Sequence, residues 1–170
     1  MASGDIVGHI IRVIPPATAY ATPDTRAGGS TPAEAWPVWD FDDTTAEYLD
    51  FLCYLGPNYA GGGITISLPW SATSATSNAV VWQAAVRRVQ ASSEDVDTSQ
   101  TYDYNLASAS TAPGTCGQVI VPTIAFTSGA DMDSWAAGEL AMVRVGRLPT
   151  DGGDTMAGDA ELHGLVIKET

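Results

Sequence analysis

Apolar and polar residues alternate along much of this chain with a period of two, the repeat of a half-buried strand. The segment "ITISLPW" places Ile64, Ile66 and Leu68 on one face and Thr65 and Ser67 on the other. "YLDFLCYL" groups Leu49, Phe51, Cys53 and Leu55, and "LAMVRVGRL" sets Ala141, Val143 and Val145 opposite Met142 and Arg144. "NAVVWQAAVRRVQ" fits helical spacing through Trp82, Ala85, Val86 and Val89, and strand spacing through Val80, Trp82, Ala84 and Val86. Its β-branched content favours the strand. "YLDFLCYL" also carries a capping-box-like Thr44-x-x-Glu47, but Gly56-Pro57 stops it too early for a typical helix, and its aromatics favour a strand.

Weaker patterns add to the series. "TYDYNLASAS" puts Tyr102, Tyr104 and Leu106 together, "GQVIVPTIAFTS" holds Pro122 as an edge or bulge signal, and "AWPVWDFD" is an aromatic strand containing Pro37. "AELHGLVIKE" closes the chain. The expectation is an all-β, jelly-roll-like sandwich of about eight strands over residues 36–170. A short helical turn is expected in "DMDSWAAGEL", capped by Asp131 or Asp133 and ended by Gly138. Residues 1–35 read as an extended arm, because Pro15, Pro16, Pro23, Pro32 and Gly28-Gly29 interrupt any regular element. Its apolar run "DIVGHIIRVI" is expected to reach a neighbouring subunit.

"YLGPNYAGGGITISLPW" poses a sharper question, because a glycine run can cradle phosphate. A phosphate loop opens a helix and, in its commonest form, carries a lysine. Gly61, Gly62 and Gly63 lead into a strand instead, which reads as a hairpin connection with Gly62 in a turn conformation.

Composition narrows the function classes. The net charge is -13, from 20 acidic and 7 basic residues, and Lys168 is the only lysine. Direct nucleic-acid binding and anionic membrane surfaces are therefore disfavoured; the only candidate basic cluster is Arg87-Arg88 with Arg144 and Arg147. No apolar run reaches membrane-helix length, and "MASGDIVGHIIRVIPPA" lacks the basic region of a secretory signal. Cys53 reads as a core residue, and its spacing from Cys116 matches neither a metal site nor a disulfide framework.

The chemistry-bearing residues stay below any catalytic signature. The acidic groups Asp40/Asp42/Asp43, Glu94/Asp95/Asp97, Asp131/Asp133 and Asp151/Asp154 lack a full calcium-loop pattern and read as solvated loop charge. Glu161 and Glu169 fall near strand ends, away from clear inward positions, so a glycosidase pair is not indicated. Two histidines, His9 and His163, and no G-x-S-x-G elbow argue against a nucleophilic triad or a zinc site. No catalytic, cofactor-binding or metal-ligating residue is assigned, and no enzyme is expected. Among the 5 tryptophans, Trp70 and Trp82 are expected in the core, and Trp36 and Trp39 at the arm's junction.

The stretch "WDFDDTTAEYLDFLCYLGPNYAGGGITISLPWSATSATSNAVVW" resembles β-sandwich virion proteins of tailed bacteriophages, through Leu55, Pro57, Tyr59, Gly61 to Gly63 and Trp70. "GELAMVRVGR" and "DTMAGDAEL" extend the match through Gly138, Arg144, Arg147, Asp154, Thr155, Gly158 and Asp159. The likeness spans residues 38–170, and the proline-rich N-terminal segment departs from it. It implies a capsid decoration, or cement, protein made in the host cytoplasm. Such a protein would sit on the outer virion surface where capsomers meet, as a homo-oligomer, commonly a trimer, bound to the major capsid protein. The alternative is a glycan-binding β-sandwich of a phage tail or fibre that uses exposed tryptophans. Exposure of Trp36, Trp39 and Trp135 in one row, or their burial, separates the two.

Overall fold

The computed structural model describes residues 4–170. Its fourteen strands are β1 (Gly8–Ile14), β2 (Thr22–Gly28), β3 (Glu34–Phe41), β4 (Tyr48–Leu55), β5 (Ile64–Ser67), β6 (Trp70–Ala72), β7 (Ala79–Val80), β8 (Trp82–Val89), β9 (Asn105–Leu106), β10 (Ser110–Thr111), β11 (Thr123–Phe126), β12 (Leu140–Arg147), β13 (Ala160–Leu162) and β14 (Val166–Glu169). The fold is an all-β sandwich of antiparallel sheets. One layer is the sheet β1-β4-β12-β8-β9. The other combines β2-β3-β13-β6 with β11-β5-β14.

The second layer is one kinked sheet. β5 pairs with β14 and β6 with β13, so two consecutive strand pairs form a single ladder interrupted at Pro69 and Gly164. The His163 N–H donates to the Pro69 carbonyl at 2.9 Å and carries the ladder across the break. Proline cannot donate there, and Gly164 takes a φ of 146°. Pro122 lies just before the edge strand β11, where its carbonyl accepts from Leu68, as its sequence position implied.

The alternation read from the sequence defines the core. In register across β4, β12 and β8, Phe51 faces Val143 and Val86, while Leu49 faces Val145 and Ala84. These side chains meet Ile64, Ile66, Leu68, Trp70 and Ile167 from the opposite layer. Trp82 packs edge-on against Phe41 at 5.1 Å and Trp70 at 6.0 Å. Each buried aliphatic or aromatic side chain stabilises the fold by about 1.5–3 kcal/mol. Cys53 is buried as expected, burial pushes its thiol up to about 12, and both cysteines are free.

Three expectations are corrected. The segment expected as an arm supplies two strands: β1 pairs with β4, and β2 with β3. The chain also changes layer there. Val7 donates to Ile167 of β14 before Gly8–Ile14 joins β4, and the crossing occurs at Gly8, where a Cβ would strike Ile167. The prolines that suggested an arm lie between these strands or, like Pro23, on the strand with an unpaired edge. Second, the expected helical turn is a single 3-10 turn, Ala130–Met132, with Gly129 rather than an aspartate at its N-cap. Asp131 instead accepts from Thr127 Oγ1 and Asn105 Nδ2, and Asp133 takes the left-handed C-cap position. Third, the glycine run crosses between layers, from β4 to β5, and is not a hairpin.

Within that run the positive φ belongs to Gly61, at 101°. A Cβ on Gly63 would collide with the Phe126 carbonyl oxygen, whereas one on Gly62 would meet nothing closer than Glu169 Oε1 at 3.5 Å. The loop does bind an anion, and the anion is the chain's own. The Ala60 and Gly62 N–H groups donate to Glu169 Oε1 at 2.9 and 3.2 Å. Gly63→Ala should therefore lower stability by about 1–3 kcal/mol, with Gly62→Ala within about 0.5 kcal/mol of wild type, both measured by urea unfolding.

Candidate functional site

The outer face of the four-stranded sheet is polar, because the core takes the alternate residues Trp39, Phe41, Ala160, Leu162, Trp70 and Ala72. That leaves Arg26 opposite Trp36, Asp40 opposite Glu161, and Glu161 opposite Ser71 on the other face. An open groove of about 550 Å³ runs over this face, with Trp36, Glu34, Pro32, Val119, Arg26 and His163 among its lining residues.

The side chains beneath the groove form one hydrogen-bonded chain. Trp36 Nε1 donates to His163 Nδ1 at 2.6 Å. Indole N–H can only donate, so Nδ1 is unprotonated and the imidazole proton sits on Nε2. His163 Nε2 then donates to Ser71 Oγ at 3.0 Å, and Ser71 Oγ donates to Glu161 Oε2 at 2.7 Å. Arg26 Nε reaches the same carboxylate oxygen at 2.7 Å, while its Nη2 donates to the Ala72 and Thr73 carbonyls. Ser71 is 0% and Glu161 2% exposed, so this end of the chain is sealed. Trp36 at the other end is 54% exposed, and the His163 ring packs against it at 6.1 Å and 60°.

A serine, a histidine and a glutamate in contact invite comparison with a nucleophilic triad. The polarity is reversed here. The serine donates to the carboxylate rather than to the imidazole, and the imidazole accepts from a tryptophan rather than donating to an acid. Burial pushes His163 below the ordinary histidine range, aided by the Arg26 charge and opposed by Glu161. Asp40 is pushed up to about 6, chiefly by burial and then by the neighbouring charges of Asp24, Glu161 and Asp159. Its Oδ1 is buried with no hydrogen-bond partner among the described residues.

The other sequence candidates are dispersed. Trp36 alone of the three diagnostic tryptophans is strongly exposed: Trp39 is half-buried, and Trp135 is buried with its Nε1 on the Glu139 carbonyl. His9 is exposed on β1. Three of the four arginines of the basic cluster are ion-paired, Arg88 to Glu139, Arg144 to Asp50 and Arg147 to Asp154, and Arg87 Nε is buried with no hydrogen-bond partner among the described residues. The aspartates expected as solvated charge are partly structural. Asp42 accepts from Thr44 and Thr45, Asp43 from the Gly158 N–H, and Asp133 from the Arg88 N–H. Glu161, read as near a strand end, is central in β13 and buried. Among the described residues, no three His, Cys, Asp or Glu side chains are grouped to hold a metal ion.

The chain matches no protein-family model and no curated protein. Among solved structures it is similar to the CBM22-1 xylan-binding domain of Paenibacillus barcinonensis Xyn10C, with a TM-score of 0.49 and 9% identity over 99% of this chain and 97% of that one. It is also similar to the enzymatically active domain of bacteriophage CBA120 tailspike protein 4, with a TM-score of 0.46 and 8% identity over 95% of this chain and 20% of that one.

Asp40 yields a stability prediction. Its folded-state carboxyl protonates more readily than the unfolded one, so its contribution is present below about pH 4 and is lost as pH rises to about 6. Asp40→Asn should stabilise the protein at pH 7 by about 1 kcal/mol, the full shift being discounted for partial exposure, and should flatten the pH dependence between those limits. Thermal melts across the two pH values read both effects.

Proposed function

We propose that this chain is a non-enzymatic, glycan-binding β-sandwich on the surface of a tailed-phage particle, at a tail or fibre, and that the Trp36 groove is its binding site. The observation that carries the reading is the fixed indole of Trp36, exposed at 54% and held by His163 at 2.6 Å. A flat apolar ring with its N–H already satisfied offers its face to the C–H side of a pyranose and loses little conformational freedom on binding. Val119 and Pro32 add apolar lining to the groove, and Glu34 and Ser30 add polar groups.

Charge selects the sugar. Asp24, Glu34, Asp40 and Glu161 stand on or beside this face against one guanidinium, whose Nε and Nη2 are already committed. Uronates, sialates and sulfated chains would meet net repulsion, so the ligand is an uncharged oligosaccharide.

A second reading, a decoration protein bound to the major capsid protein as a homotrimer, draws on different observations. It has the collinear resemblance of residues 38–170 to virion proteins, and a β1 edge that no strand among the described residues pairs, where Ile10 and Ile11 are exposed. An unpaired apolar edge invites another strand.

The two readings part at one substitution. Trp36→Ala should retain the wild-type β-sheet circular dichroism and lose at least about tenfold in affinity for an uncharged polysaccharide in affinity electrophoresis. If no uncharged glycan binds the wild type while the protein co-sediments with capsids and the Trp36→Ala variant does so equally, the decoration reading replaces the glycan one.

A further inference from the structure

We infer that His163 is the positioning residue of the groove and makes it proton-gated: the neutral imidazole holds the Trp36 indole in its binding orientation, and protonation releases it. The functional meaning of the gate rests on the glycan reading of the same groove; the gate itself does not.

Donor and acceptor inventory carries the argument. Trp36 Nε1–H has no acceptor capacity, and it points at His163 Nδ1 from 2.6 Å. A proton added to the imidazole goes to Nδ1, because Nε2 already carries one to donate to Ser71 Oγ. Two N–H groups would then face each other at a distance that allows one proton. The indole must turn away or the ring must move. The ring is restrained by its own strand, since the His163 backbone N–H is bonded to Pro69 and Leu162 is paired on both sides. Trp36 is the freer partner, on a stretch of β3 paired to β2 alone.

The surroundings set the sign. The charged and titratable groups on or beside this face are Arg26 and Asp24 from β2, Glu34 and Asp40 from β3, Glu161 from β13 with Asp159 just before it, and the Cys116 thiol near Arg26; β6 contributes the uncharged Ser71. Glu161 would favour an imidazolium, but its near oxygen already accepts from Arg26 and Ser71. Burial and the Arg26 charge prevail, so His163 is held below the ordinary histidine range and is neutral at pH 7. Binding should thus be complete near neutrality and fail in acid. Asp40 titrates in a neighbouring range and has to be separated from it.

The test follows the Trp36 indole N–H by two-dimensional nitrogen–proton NMR on the full chain, the signal being assigned by its loss in Trp36→Phe. On acidification from about pH 7.5 to about pH 4.5 the signal should leave its hydrogen-bonded position, with a midpoint below the ordinary histidine value. His163→Asn, whose side-chain oxygen can accept the indole N–H but does not titrate there, should abolish the transition, while Asp40→Asn should keep it. Affinity for a neutral oligosaccharide should fall at least about tenfold at the same midpoint in the wild type and lose that step in His163→Asn. A transition with no glycan bound at any pH supports the gate and removes the glycan reading. An indole signal that does not titrate in the wild type, a transition that survives in His163→Asn, or glycan affinity indifferent to the transition overturns the inference.

Discussion

Arg147 places a full positive charge inside the sandwich with 0% exposure, and the two layers are tied together through it. Its guanidinium donates to both carboxylate oxygens of Asp154 at 3.1 and 2.8 Å, and to the carbonyls of Phe41, Met156 and Gly158. Asp154 Oδ2 also accepts the Val81 N–H at 3.0 Å. One ion pair therefore joins the end of β12 and the start of β8 to the end of β3 and the approach to β13. Such a pair contributes little over a well-packed apolar substitute, because desolvating two ions offsets most of their attraction. Its importance lies in what happens when one partner is lost: an unpaired buried charge costs about 3–5 kcal/mol. That asymmetry fixes the loop of residues 148–159 in one conformation, and β13, with Glu161 and the following His163, starts from that loop.

A second closure repeats the logic with the sign reversed. Glu169 is buried in the last strand, and Ala60 and Gly62 of the glycine loop supply two N–H groups to one of its oxygens. Tyr59 donates its hydroxyl to the Gly62 carbonyl within the same loop, and the Thr170 N–H donates to Gly63. The N-terminal segment adds backbone bonds, the Gly4 N–H donating to the Glu169 carbonyl and the Glu169 N–H to the Asp5 carbonyl. The carboxylate thus ties β14 to the glycine loop, and the Glu169 backbone ties β14 to the segment that leads into β1. The extended N-terminal segment is integral here because its loss would leave the β14 backbone groups it bonds without partners.

Where the sequence was readable, one buried face dictated the alternation. β4, β5, β8 and β12 each present apolar residues to the same core, and a period of two survives because each strand has one wet or polar face. β2 gave no such signal. "TPDTRAG" has no apolar face and is a strand only because it is laddered to β3. β1 hid behind an irregular register between Ile10 and Arg12, which breaks its alternation, and behind the prolines that follow. The motif "DTMAGDAEL" was visible as a resemblance but not as physics; its Asp154 and Gly158 are the groups that accept the Arg147 charge. The groove was illegible for a geometric reason. Its central contacts join residues 127, 92 and 135 positions apart, and each depends on strand pairings that no local window encodes. Trp36 was legible only as one of three tryptophans whose exposure would matter, and the sequence reading placed it at the arm's junction, whereas it is 54% exposed.

The direction of the hydrogen bonds limits what this groove can do. From Trp36 through His163 and Ser71 every donor points inward, and Arg26 meets them from the far side, so all converge on Glu161. The serine proton is committed to the carboxylate, and the imidazole has no lone pair left for a substrate. Reversing the chain to free the serine would require Trp36 to accept a hydrogen bond, which indole nitrogen cannot do. What the network leaves open is its outer end, an exposed indole face held in one orientation while His163 stays neutral. The sealed carboxylate beneath the groove fixes the Ser71 hydroxyl and the Arg26 guanidinium in place.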